Sequence, residues 1–385
     1  MGSGARDAAS AAASAAASAA ASAAASADPA AVAASRRAAG VKVCFSSDLH
    51  GNVDHLEKVL AKAVETDCDA IVLGGDLAPR GNGHGYHELG QLRDYLPHLP
   101  NGKPDWACEE ALAYMQEGFE RQGEWFETEC IPRLAACAVP SVCMFGNSDW
   151  AGLMPRCHAA AAPTGGHVRF VEGEGDFFTL RKRRSSADGD GGGGGVEARA
   201  MACSLVPICA HKKKDWERCD TRTLAHTLAR RPFMDPEGFG SGADGAGAVR
   251  VAIPLTDAHA EAHSIEASLE RLIRRAPGGV APPFWFIHAP PRDTVGDLCD
   301  GKEHVGSIAV LEAIKRRGPR ATLHGHIHES VRNHGGRFKE KVVGEGGGET
   351  LVVSSGNDFK LEHPFAVVMD TADPDGATRV ECTGG

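Results

Sequence analysis

The sequence has no Cys-x-x-Cys pair among its 12 cysteines, no apolar run long enough to span a bilayer, no compact secretory h-region and no basic excess. Each absence closes a class. A transmembrane helix needs a run of about 20 mostly apolar residues, so no membrane-spanning role is expected. A formal net charge of −10 disfavours a nucleic-acid surface, which normally needs a basic face. Cys44, Cys143 and Cys203 sit inside apolar, strand-like runs and read as reduced, buried thiols of an intracellular protein. The myristoylation pattern fails at Arg6, where Ser or Thr is required after Gly2.

What is present is an ordinary globular composition, 42% hydrophobic and 24% charged over 385 residues, enough for one large domain or two small ones. Residues 1–40 stand apart. An Ala-Ala-Ala-Ser repeat from Ala8 to Ala27 has only methyl groups to bury, so a disordered tail is expected. Its Ser, Ala and Arg6, Arg36 and Arg37 also resemble a transit peptide. The expected compartment is the cytoplasm, with organelle import as the alternative. The folded domain is expected over 41–385, with Gly-rich insertions near 185–196 and 236–248.

Within that domain, apolar runs repeatedly end in polar residues of ligand type. Val41 to Phe45 reads as a strand leading into Asp48-Leu49-His50. On an extended backbone residues two apart face the same way, so Asp48 and His50 could grip one ion; an Asx-turn is the equal alternative. A helical pattern follows over 53–65, then a strand from Asp69 to Leu73 ending in Gly74-Gly75-Asp76. Strand, helix, strand indicates a right-handed βαβ unit, whose ligands bind beyond the carboxyl ends of the strands. Ser141 to Phe145 ends in Gly146-Asn147-Ser148-Asp149, and Phe284 to Ile287 ends in His288. A fifth such run ends in His324-Gly325-His326-Ile327-His328. Three crowded imidazoles make a poor core, and neutral imidazole is a good ligand for divalent transition metals. A hydrogen-bonded surface cluster is the alternative for that stretch alone. A long helical pattern covers 106–136, and amphipathic helices are expected over 263–275 and 306–317. His84 and His87 read as a surface loop, and the run His211 to Glu217 as a surface turn anchored by Trp216, with reach to a substrate phosphate as its alternative.

The ordered set Asp48-Leu49-His50, Gly75-Asp76, Gly146-Asn147-Ser148-Asp149, His288 and Gly325-His326-Ile327-His328 resembles the calcineurin-like metallophosphoesterase family. That resemblance spans about Val41 to Asp370 and implies an α/β fold, a four-layer αββα sandwich with two mixed β-sheets. It implies two divalent metal ions: Asp48, His50 and His328 on one, Asn147, His288 and His326 on the other, Asp76 between them. A His-rich set without thiolate suits Mn, Fe or Zn. Two divalent ions, two carboxylates and a bridging hydroxide leave a net charge of about +1, which attracts a phosphate anion; the hydroxide is then the nucleophile. One departure matters. The family pattern has His after Asn, and here Ser148 stands there; a hydroxyl is a poor general acid. Asp149 is retained and is the remaining catalytic candidate, with turn capping as its alternative. Arg80, in Gly75-Asp76-Leu77-Ala78-Pro79-Arg80-Gly81, is similar to a phosphate-contacting arginine of the phosphoprotein phosphatase branch and could bind substrate in a fork. The implied function is hydrolysis of a small-molecule phosphate ester, diester or monoester, with a protein substrate as a weaker reading. The alternative is a catalytically weak, metal-bound scaffold.

Overall fold

The computed structural model describes residues 40–80, 97–100, 108–183, 195–208, 216–226, 233–234, 252–253 and 256–384. The Ala/Ser repeat, His84, His87, His211 to Asp215 and the Gly-rich stretches 185–194 and 236–248 lie outside the described residues.

Two six-stranded sheets form the frame. The first contains β1 (Lys42–Ser46), β2 (Ala70–Gly74), β3 (Ser141–Met144) and β4 (Val168–Phe170). The second contains β5 (Gly175–Arg181), β6 (Glu197–Cys203), β7 (Phe284–Ile287), β8 (Ala321–His324), β9 (Lys339–Val343) and β10 (Glu349–Ser354). The last strands, β11 (Phe365–Asp370) and β12 (Thr378–Glu381), return to the first sheet. Its order is β12-β11-β1-β2-β3-β4, and that of the second is β9-β10-β8-β7-β6-β5. In the first, β1 to β4 run parallel while β11 and β12 are antiparallel. In the second, β6, β7, β8 and β10 are parallel, with antiparallel β5 and β9 at the edges. Both sheets are therefore mixed, and each presents its parallel strands' carboxyl ends together.

The pleat explains the layers. Side chains alternate across a strand, and here both faces are buried. Val43, Phe45, Phe284, Phe286, Leu323 and Val353 belong to the core between the sheets. Their neighbours Cys44, Trp285, Ile287 and Val352 face the other way, into the core beneath the helices. Such strands read as continuous apolar runs. The helices α1 (Val53–Glu65), α2 (Glu109–Trp125), α3 (Ile131–Ala136), α4 (Met154–Ala161), α5 (Ile265–Arg274) and α6 (Ile308–Arg317) supply the outer layers, giving the expected αββα sandwich. No helix among the described residues is long and apolar enough to cross a membrane.

Local signals set the helix ends. Asn52 caps α1 by accepting the His55 N–H at 3.0 Å, Ser264 and Ser307 cap α5 and α6 in the same way, and Gly318 closes α6 in the left-handed conformation. The pattern over 106–136 is not one α-helix: α2 passes through a π turn, Phe126–Cys130, into α3. Pro132 has no N–H to give to the preceding turn, and the ladder widens there.

Phe286 is fully buried between the sheets, with ring centroids 5.8 Å from Phe45 and 5.6 Å from Phe178. Phe286→Ala should cost about 3–5 kcal/mol, read as a lower denaturant midpoint with an unchanged slope.

Candidate metal centre

Past the carboxyl ends of β1 and β2 the backbone stops being extended. Asp48 (φ 59°), His50 (φ 47°) and Asp76 (φ 53°) all adopt the left-handed conformation, as does His326 (φ 71°) after β8. Asp48 and His50 therefore converge through two left-handed turns and not through strand alternation. Non-glycine residues held there cost about 1–3 kcal/mol each and collect at functional sites. Ladder-like bonds keep the turns in register: Asp48 N–H donates to Gly75 O at 2.9 Å, and His50 N–H to Asp76 O at 2.9 Å.

Glycines allow the close approach. A Cβ on Gly75 would lie 2.7 Å from Gly146 N and 2.9 Å from His288 Nδ1. One on Gly146 would come within 2.7 Å of His288 Cε1, and one on Gly325 within 2.8 Å of Ser47 Cβ. Gly325 thus lets the chain pass against Asp48, and the His326 N–H reaches both Asp48 oxygens at 3.1 Å.

Asp48, His50, Asp76 and His328 each offer a ligand atom within 4.8 Å of all the others. His328 Nε2 lies 3.4 Å from Asp48 Oδ1, His50 Nε2 lies 3.6 Å from Asp76 Oδ2, and the two imidazole Nε2 atoms are 3.1 Å apart. Two ring nitrogens facing each other beside two buried carboxylates suit a shared cation. On the other side of Asp76, His288 Nε2 lies 3.4 Å from Asp76 Oδ1 and 3.3 Å from Asn147 Oδ1. His288 Nδ1 donates to Gly74 O at 2.8 Å, which fixes the tautomer and aims Nε2 inward, the usual support for a ligating imidazole. Burial works against a charged His288, yet Asp76 and Asp48 carry its pKa up to about 9. His326 packs beside it, ring centroids 5.2 Å apart. All seven residues singled out from the strand ends thus lie at one edge of the sandwich, and their donor set, carboxylate, imidazole and amide oxygen, fits divalent transition ions.

The third clustered imidazole does something else. His324 is fully buried, bonds Ile287 O, Ala289 O and Thr322 Oγ1 at 2.9–3.0 Å, and burial pulls its pKa down to about 4. It is a neutral brace between β7 and β8.

Asp149 faces backbone. Its carboxylate accepts from Leu77 N (3.1 Å), Ala78 N (2.9 Å) and Gly146 N (2.8 Å), so it binds the Asp76 turn to the Asn147 turn. Burial and then nearby Asp76 raise its pKa to about 7, against those amides. Ser148 gives both its donors to Asp76, N–H to Oδ1 at 2.6 Å and hydroxyl to Oδ2 at 2.9 Å. Arg80 lies over the Phe359 ring at 4.7 Å and directs its guanidinium at His50 and His328, with Nη2 3.2 Å from His328 Nε2. His50, Arg80 and Phe359, with Arg121 and Trp125 of α2, line a cleft of about 460 Å³. Trp216 is buried, and its indole N–H donates to Asp149 O at 2.9 Å.

Phe359, Asn357 and Gln122 were not readable as site residues. Phe359 packs its ring 5.1 Å from His50 and 5.8 Å from His328. Asn357 donates to Ser47 O at 3.0 Å and accepts Phe365 N–H at 2.6 Å. Both lie just past β10, so a sixth polar stretch after an apolar run was the available signal. Gln122, on a helix, carried none.

Fold and cluster together define a class: a two-sheet α/β protein with a carboxylate–imidazole cluster that could hold a metal ion where two parallel strand sets end. The family model for calcineurin-like phosphoesterases matches residues 41–185, and that stretch is similar to a family whose members are phosphoester hydrolases. His288, His326 and His328 lie beyond the matched stretch and are joined to it by the fold. One solved structure aligns at a TM-score of 0.50 and 14% identity, covering 89% of this chain and 99% of that one. A dimetal phosphatase from Danio rerio aligns at 0.38 and 9% identity over 89% and 99%, and an archaeal phosphodiesterase at 0.33 and 9% over the same shares. No curated protein matches the sequence.

Asp149→Asn turns one acceptor into a donor facing backbone N–H groups. It should cost about 1–3 kcal/mol of stability and weaken metal binding by about 10–100-fold, measured by denaturation and by chelator competition.

Proposed function

We propose that this chain is a metal-dependent hydrolase of a phosphate ester, either a phosphodiester or a small phosphomonoester. The observation that carries the reading is the convergence of Asp48, His50, Asp76 and His328 within 4.8 Å, beside a cleft that also holds Arg80.

In this reading Asp48, His50 and His328 hold one divalent ion, Asn147, His288 and His326 hold a second, and Asp76 lies between the two. Mn, Fe and Zn suit these donors. When bound, such ions supply Lewis acidity and lower the pKa of water to near neutrality. The chain's own residues do the rest. Gly74 O orients His288. Ser148 orients Asp76 through two hydrogen bonds. Arg80 offers a forked guanidinium for phosphate oxygens, and Phe359 holds that guanidinium from one face. Asp149 contributes through the backbone turns it ties together.

Ser148 decides the substrate preference. Its hydroxyl is already given to Asp76 and has too high a pKa to protonate a leaving alcohol. The site therefore favours esters whose leaving group needs little protonation. The same residue supports a second reading, a metal-bound scaffold with weak turnover.

Metal-stripped protein refilled with Mn²⁺ should hydrolyse bis-p-nitrophenyl phosphate and p-nitrophenyl phosphate, whose p-nitrophenolate leaves with little protonation, much faster than the corresponding alkyl esters. Asp76→Asn should remove at least about 100-fold of that rate, beyond what altering an outer partner usually costs. Full metal occupancy without turnover on either ester would leave the scaffold reading standing.

A further inference from the structure

Gln122 is 1% exposed and sits one turn before the end of α2. Its amide nitrogen donates to Pro79 O at 2.8 Å and to Ser148 O at 2.8 Å. Its oxygen accepts the Trp150 N–H at 3.0 Å. The amide orientation is unambiguous, because two carbonyls need the donors and one N–H needs the acceptor. Pro79 immediately precedes Arg80, while Ser148 and Trp150 flank Asp149 and follow Asn147. The helix that carries Gln122 is well anchored: the neighbouring Phe126 stacks on Phe145, beyond β3, at 5.5 Å, and Trp125 is 6% exposed.

We propose that Gln122 is a positioning residue for the metal centre, setting the loop that bears Asn147 and Ser148 against the loop that bears Arg80. This rests on the metal reading above and concerns how the two halves of the centre are kept in register. A buried amide that serves two loops at once constrains their separation to hydrogen-bond tolerance. Without it, two carbonyls and one N–H lose their partner, and the Asn147 turn is held to the Asp76 loop by Asp149 and Ser148 alone. Gln122 bonds the Asn147–Trp150 turn directly, whereas Asp48, His50 and His328 meet it only by way of the Arg80 loop. The larger effect therefore falls on the ion that Asn147, His288 and His326 would hold.

The test is a metal titration of Gln122→Met, with Gln122→Glu as the isosteric second variant. The glutamate keeps an acceptor for Trp150 N–H but turns a carboxylate toward two carbonyls. Metal-stripped full-length protein is titrated with Mn²⁺ against a competing chelator. Asn147→Ala identifies which of two binding steps belongs to the Asn147 side. That step should weaken by about 10-fold or more in both Gln122 variants, while the other step changes by less. Two unchanged steps with only a lowered melting temperature would overturn the proposal and make Gln122 a plain satisfier of buried backbone groups. Equal weakening of both steps would overturn it as well. A wild-type protein that binds two ions but cleaves neither ester would defeat the functional reading while the titration still judges Gln122. A wild-type protein that binds none would overturn both.

Discussion

Two sheets meet at one edge through a handful of polar contacts, and the candidate centre exists only while that edge stays closed. His288, leaving the second sheet, bonds the carbonyl of Gly74 at the end of a first-sheet strand. His326, also from the second sheet, bonds Asp48 of the first. The apolar layer between the sheets, with Phe45 and Phe286 in contact, sets their spacing but is tolerant of sliding. The polar stitches are directional, and they convert loose apolar contact into a defined register.

That register has a cost in the backbone. Asp48, His50, Asp76 and His326 all hold left-handed conformations, and glycines occupy the places where another side chain would strike a neighbouring turn. Asp149 and Gln122 then bind the turns by their amides and carbonyls. The ligand atoms are thus held by several buried hydrogen bonds whose partners lie far apart in the chain, and the strain is spread over turns that cannot relax singly. Preorganisation of this kind is what a catalytic metal centre requires of its scaffold.

Ser148 gives the centre its individual character. Its donors are both turned to Asp76, so it strengthens the hold on a carboxylate at the middle of the cluster. Arg80, framed by Phe359 and the two imidazoles, places positive charge at the cleft. In the proposed function that balance favours anion binding over acid assistance.

The sequence by itself indicated the strands that end at the site, the helices and the ligand candidates, because each rests on local chemistry. Apolar runs of strand length ended at Asp, Asn or His, and apolar residues at helical spacing marked 53–65 and 263–275. It also indicated the sheet edge, since βαβ connections place strand ends together. Residue chemistry alone left the three histidines of 324–328 alike, and the family pattern singled out His326 and His328; the tertiary structure shows what His324 does instead, turned to the carbonyls of Ile287 and Ala289 by β7 packing beside β8. It decided that Asp48 and His50 converge through left-handed turns and that Asp149 spends its oxygens on amides. It also recruited Phe359 from the turn past β10 and Gln122 from a helix with no site-like pattern. The physical reason is that hydrogen-bond partners of buried turns lie dozens to hundreds of residues away, and only the folded chain brings their donors and acceptors within reach of one another.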